Sequence, residues 1–155
     1  MRVLAFDPGY ERLGVAVLEK NKKEELLFSD CVRTSAKLSF GDRLKELGAA
    51  AETLIAQWQP QAVALEEVFF EKNAKTAMQV AEVRGMLTYI AAKAGLVVYQ
   101  YTPAEVKVAV TGHGHSDKRA MALMVPKLVS LKAGKRLDDE LDAIAVGITC
   151  LASVR

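Results

Sequence analysis

Val3-Leu4-Ala5-Phe6 is an unbroken apolar run that ends on a carboxylate, Asp7, and is stopped by Pro8-Gly9. Such a run without alternation suits a strand covered on both faces, and Pro-Gly punctuates its end. The rest of the chain must therefore supply a layer above and a layer below this strand. It must also supply a counter-charge, because an ionised carboxylate at the rim of a core is costly unless a cation or backbone N–H groups compensate. A divalent metal fits that need best if other segments bring further carboxylates to the same place.

The 155 residues are enough for one domain, spanning 1–155, with a proper core, and about half of them are apolar. No stretch reads as a membrane span, and Asp7 interrupts any signal-peptide pattern at the N-terminus. Cys31 and Cys150 have neither CxxC nor metal-site spacing and are read as buried free thiols of a reducing compartment, so the expected location is the cytoplasm. The net charge of +2 does not by itself indicate nucleic acid. Its distribution is more informative: between Pro103 and Arg136 seven basic residues (107, 118, 119, 127, 132, 135, 136) face two acids, Glu105 and Asp117. A solvated basic face accounts for this, and so does a phosphate-binding one.

Leu13–Glu19 alternates as a second strand, Asn21-Lys22-Lys23 is a polar turn, and Glu25–Arg33 reads as a third strand, giving an antiparallel meander. Helical spacing of Leu44, Leu47, Ala51, Leu54 and Ile55 marks a helix over Ser39–Trp58, ended by Pro60. Ala62–Leu65 is a short buried strand closed by Glu66-Glu67. A loop follows. Ala74–Ala94 is a long helix with Gly95 as its C-cap. This helix has an aliphatic stripe (Val80, Val83, Leu87, Ile90) and a small-residue one (Ala77, Ala81, Gly85, Thr88, Ala92). The second stripe allows a further helix to approach, from the same chain or from a second subunit. Leu96–Gln100 is a fifth strand and Pro103–Val110 a short helix. Gly112-His113-Gly114-His115 forms a loop. Ser116 is expected to cap a helix that ends or kinks at Pro126. Leu137–Ser153 is the last helix. The order predicts an α/β fold: a mixed five-stranded sheet, first antiparallel and then parallel, with helices on both faces.

Acids recur at the element ends. Asp7 follows strand one, Glu66 and Glu67 follow strand four, and Asp138, Asp139 and Asp142 open the last helix. Ligands of parallel α/β sheets collect outside the carboxyl ends of the strands. Asp139 and Asp142 share a helical face, and so do Asp138 and Asp142. Taken singly, each acid has an ordinary explanation as a turn former, a strand end or a dipole partner. Together they would repel one another unless a hard cation such as Mg²⁺ or Mn²⁺ relieved the repulsion. An oxygen-only cluster suits phosphoryl chemistry with two ions about 3.5–4 Å apart. Lys107 and Lys118 follow strand five and lie beside the same edge, where they could hold a phosphate. Phe69 and Phe70 follow Glu66 closely and could stack on an unpaired base or pack in the core.

Phe6-Asp7-Pro8-Gly9, Ala64-Leu65-Glu66-Glu67-Val68-Phe69 with Lys72-Asn73, Val106-Lys107 before a Gly-x-Gly loop and Lys118, and Asp139-x-x-Asp142-Ala143-x-Ala145 occur in order along the chain. These separated motifs resemble the RuvC family of bacterial Holliday-junction resolvases over the whole length. The resemblance implies an RNase H-like fold and a homodimer. It implies Mg²⁺- or Mn²⁺-dependent cutting of two opposed strands at a four-way DNA junction, leaving 5′-phosphate and 3′-hydroxyl ends. It maps the family's four catalytic, metal-holding carboxylates onto Asp7, Glu66, Asp139 and Asp142. Its catalytic-region lysines map onto Lys107 and Lys118, and its base-contacting aromatic onto Phe69. Lys72 and Arg119, basic residues near these positions, are further expected DNA contacts. RuvA and RuvB are the implied partners. Asp138 leaves a second helical register open for the third acid, and His113 and His115 either contact phosphate or are incidental. An actin-like ATPase also carries Asp-Pro-Gly, but it needs two such domains. A junction-binding module without catalysis would use the acids only as caps.

Overall fold

The computed structural model describes residues 1–67, 74–131 and 136–154. β1 (Arg2–Asp7) lies at the centre of the sheet. It pairs antiparallel with β2 (Arg12–Lys20) and parallel with β4 (Ala62–Glu66). β3 (Glu24–Arg33) and β5 (Val97–Tyr101) form the edges, giving the order β3-β2-β1-β4-β5. The helices are α1 (Phe40–Trp58), α2 (Ala74–Lys93), α3 (Pro103–Thr111), α4 (Lys118–Leu128) and α5 (Asp138–Ser153). This is the mixed α/β architecture that the sequence pattern predicts.

The alternation of side chains along the strands divides the core into two layers. Val3, Ala5, Ala16, Leu18, Ala62 and Ala64 face α3, α4 and α5. Leu4, Phe6, Val15, Val17, Val63 and Leu65 face α1 and α2. Residues of β1 from Val3 to Phe6 are at most 1% exposed, as a doubly covered strand should be. Fully burying one such Leu or Phe side chain contributes about 1.5–3 kcal/mol. The two layers differ in residue size. Alanines dominate the α5 side of the central strands, so α5 can lie close to the sheet. Gly147 of α5 marks the closest approach: a Cβ there would stand 2.2 Å from a Leu18 methyl and 3.3 Å from the Ala5 Cβ.

Local chemistry sets the element ends. Ser39 Oγ accepts the Asp42 N–H at the start of α1. Thr102 and Glu105 form a reciprocal capping box at α3 with Pro103 in its first turn. The cap of α4 is Asp117, which accepts from the Ala120 N–H, and not Ser116 as expected. The Ser116 hydroxyl is engaged elsewhere, 2.6 Å from Thr111 Oγ1 at the end of α3. α4 runs two residues beyond Pro126 and stops at Leu128. Gly95, at φ +72°, closes α2, and the Leu96 N–H bonds back to the Ala91 carbonyl. Leu96 thus belongs to the helix terminus, and β5 starts one residue later than expected. Cys150 is buried, whereas Cys31 on the edge strand is only half-buried; both are free thiols.

α1 packs on α2 where Gly48 meets Met86 and Ile90. On the outer side of α2, Met78 is 60% and Tyr89 67% exposed, and a Cβ built on Gly85 would meet no described atom within 4 Å beyond the backbone of its own helix and its chain neighbours. The outer part of the small-residue stripe thus remains uncovered among the described residues.

Candidate active site

β1 and β4 are parallel neighbours with Phe6 opposite Leu65, so Asp7 and Glu66 leave the same edge of the sheet side by side. Asp7 pairs across β2 with Gly14. That glycine has no side chain because the first turn of α5 occupies the space. A Cβ on Gly14 would stand 1.9 Å from the Asp139 carbonyl oxygen and 3.2 Å from the Asp7 Cβ. The contact fixes α5 over the end of β1. α3, following β5, carries Lys107, and α4 opens with Lys118. Asp7, Glu66, Asp139, Asp142, Lys107 and Lys118 together line one cavity of about 430 Å³, with Ser116 and Asp117 on its wall.

The charges in this cavity oppose one another. Burial, then the charges of Glu66, Asp142 and Asp139, push the Asp7 carboxyl up to about 8 against a partial offset from Lys118. Burial, then Asp142, push Glu66 up to about 7, with Lys107 and Lys118 pulling the other way. Asp142 is also raised, chiefly by burial, although Lys118 Nζ lies 3.9 Å from its Oδ2. Lys118 is exposed, so that ion pair is a weak compensator. Counting Asp117, five carboxylates line the recess against two lysines, which leaves negative charge unneutralised.

The donor set is all oxygen and suits a hard divalent cation. Among the described residues no group of three or more His, Cys, Asp or Glu side chains stands close enough together to hold a metal ion as the side chains are placed. An open arrangement is compatible with Mg²⁺, which keeps several waters and takes only one or two carboxylates plus substrate phosphate oxygens.

The remaining sequence candidates fall elsewhere. Asp138 is exposed and lines a smaller recess with Leu141 and Asp142, so Asp139 is the acid of the pair that faces Asp7. Arg119, His113 and His115 are exposed and do not line the main cavity. Phe69 and Lys72 lie outside the described residues. One residue at the site went unnoticed in the sequence. Arg12 Nη1 reaches Asp139 Oδ2 at 3.4 Å. Only the β1–β2 register, which sets Arg12 two residues beyond the Asp7–Gly14 pair, could have suggested it.

A mixed sheet that delivers acids from two parallel strand ends and a helix into one cleft defines the class of RNase H-like nucleases. The family model described as crossover junction endodeoxyribonuclease RuvC matches residues 3–150. The chain belongs to that family. The RuvC of Caldanaerobacter subterraneus subsp. tengcongensis is 40% identical over 96% of this chain and 90% of its own length. That of a Roseiflexus species is 43% identical over 95% and 88%. Among solved structures, Thermus thermophilus RuvC in complex with Holliday junction substrate superposes with a TM-score of 0.89 at 35% identity, over 96% of this chain and 92% of that one. The yeast mitochondrial Holliday junction resolvase Ydc2, at 12% identity and a TM-score of 0.72 over 95% and 76%, shares the fold.

Proposed function

We propose that this chain, as a single nuclease domain, resolves four-way DNA junctions by hydrolysing a phosphodiester in each of two opposed strands. The observation that carries the reading is the gathering of Asp7, Glu66, Asp139 and Asp142 around one cavity, where burial first and neighbouring carboxylates second raise Asp7 and Glu66. Family membership and the likeness to a RuvC bound to junction DNA support the same substrate.

The four carboxylates would hold Mg²⁺ or Mn²⁺, two ions per site. When bound, the metal supplies Lewis-acid polarisation of the phosphate and a water acidic enough to attack near neutral pH. Asp7, innermost and most strongly raised, must lose its proton before it can serve as a ligand, and Glu66 likewise. Asp139 and Asp142 are carried by one helix, so they move as a unit relative to the strand ends. Lys107 and Lys118 enter the same cavity from two separate helices. There they offset charge that grows on the phosphate oxygens during attack. Phe69, Lys72 and Arg119 are proposed to contact DNA beyond the cavity. The products carry 5′-phosphate and 3′-hydroxyl ends.

Paired nicks call for a twofold dimer, whose equal sites match an opened junction. The uncovered side of α2 supports that assembly. RuvA and RuvB are the proposed partners, and the cytoplasm the proposed location. No described helix is long and apolar enough to cross a membrane.

The test is cleavage of an end-labelled mobile junction with Mg²⁺. Asp7→Asn should lower cutting at least a hundredfold while leaving junction binding within a factor of a few. Wild-type protein that binds but never cuts, with any divalent metal, would instead define a non-catalytic binding module.

A further inference from the structure

We infer that a second recess, beside the catalytic cavity, seats a backbone phosphate of the DNA strand away from the scissile one; the inference rests on the nuclease reading above. The recess has a volume of about 350 Å³ and is lined by Glu11, Arg12, Arg33, Thr34, Ala36 and Arg43. Three guanidinium groups reach it from three elements. Arg12 opens β2, Arg33 ends β3 directly opposite it, and Arg43 belongs to the first turns of α1. Like charges placed opposite each other on adjacent strands repel, and only Glu11 among the lining residues opposes them.

Arg43 is the most informative of the three. It is 8% exposed, and its guanidinium lies 5.6 Å from the Tyr10 ring centroid. Its Nη1 is buried with no hydrogen-bond partner among the described residues. The Glu11 carboxylate stops 3.7 Å away, beyond hydrogen-bond range, on a largely exposed side chain. A buried, unmade guanidinium donor is costly, and a phosphate oxygen matches the planar fork of arginine. Glu11 then acts as a loose internal stand-in for the anion, displaced when a phosphate arrives.

Position identifies the source of that phosphate. Arg12 lines this recess and also contacts Asp139 of the catalytic cavity. A strand whose scissile phosphate lies against Asp139 passes over Arg12 on its way to Arg33 and Arg43. The continuity favours a phosphodiester of the same strand over free phosphate.

The experiment measures junction binding by the full chain without divalent metal, across a salt series. Arg33→Gln, an exposed change, should weaken binding about tenfold at low salt and reduce the slope of log K against log[salt] by about 1. Arg43→Lys, which keeps the charge but loses the fork, should weaken binding with a smaller change in slope. Glu11→Gln should strengthen binding several-fold. A scan with methylphosphonate linkages should find one position near the nick whose neutralisation weakens wild type but barely affects Arg33→Gln. Unchanged slopes with no such position, or weaker binding by Glu11→Gln, overturn the inference. Stabilisation by millimolar inorganic phosphate that depends on Arg33 would also overturn it, by assigning the recess to the free ion. Failure of wild type to bind or cut a junction at all sinks the nuclease reading instead.

Discussion

Asp7 is the residue on which charge and burial conflict most. Its carboxyl is raised from an ordinary 3.8 to about 8, by burial first and by Glu66, Asp142 and Asp139 next. Without metal, the folded chain keeps protons that the unfolded chain releases above its ordinary value, so νN exceeds νU and stability falls as pH rises through that window. Glu66, raised to about 7, acts in the same direction. Thermal melts in EDTA should therefore show a lower Tm at pH 8.5 than at pH 5.5. Added Mg²⁺ should recover more at pH 8.5 than at pH 5.5, because ligation requires the deprotonated acids. A metal-free Tm that climbs steadily with pH would contradict the packing of these acids. Lys118 presents the opposite case. It is 80% exposed and 3.9 Å from Asp142, so its ion pair adds about 0–1 kcal/mol at most. Lys118→Ala should leave the denaturant midpoint nearly unchanged yet slow cleavage about a hundredfold, through lost charge stabilisation on the phosphate. Equal losses in stability and rate would make it a structural residue.

At the scale of elements, the docking of α5 onto β1 and β2 positions half of the acids. Gly14→Ala tests that docking, because its new Cβ would meet the Asp139 backbone, which cannot rotate away as a side chain can. The substitution should cost about 1–3 kcal/mol, as overpacking does, and should lower cleavage at least tenfold even where the protein is fully folded. Chemical denaturation and single-turnover cutting of the same preparations separate the two effects. A folded Gly14→Ala protein of wild-type rate would mean that α5 can shift without disturbing the site. The same contact shows what a sequence can and cannot reveal. The period of each element and the acids at its ends are local patterns, so β1, α5, Asp7 and Glu66 stand out. Gly14, Gly147 and Arg12 matter only through neighbours distant in the chain, and nothing in their local pattern separates them from an ordinary strand glycine, helix glycine or surface arginine. The one-residue error at the start of β5 and the misplaced cap of α4 have a related cause. Leu96 and Ser116 were each already committed to a neighbouring element, the first to the end of α2 and the second to Thr111 of α3.

For the whole molecule, one cavity cuts one strand, whereas resolution needs two cuts placed symmetrically. The outer face of α2 offers a way to pair two sites. Met78, Gly85 and Tyr89 recur at helical spacing and are open to solvent, and the bare Gly85 lets another backbone come close. Exposed aromatics of this kind are common anchors of interfaces, and losing one costs about 2 kcal/mol or more of association energy. Tyr89→Glu should therefore raise the dimer dissociation constant at least about thirtyfold, read by analytical ultracentrifugation. An exposed substitution should change the stability of the protomer by no more than about 0.5 kcal/mol. The functional consequence is visible on a supercoiled plasmid that extrudes a cruciform. Coupled cutting by a dimer yields linear DNA in one binding event. Tyr89→Glu at concentrations where it is monomeric should accumulate nicked circles first, and higher protein concentration should restore the linear product. If the variant remains dimeric and still yields linear DNA directly, the twofold axis does not pass through this side of α2. The paired nicks must then arise from contacts on another surface.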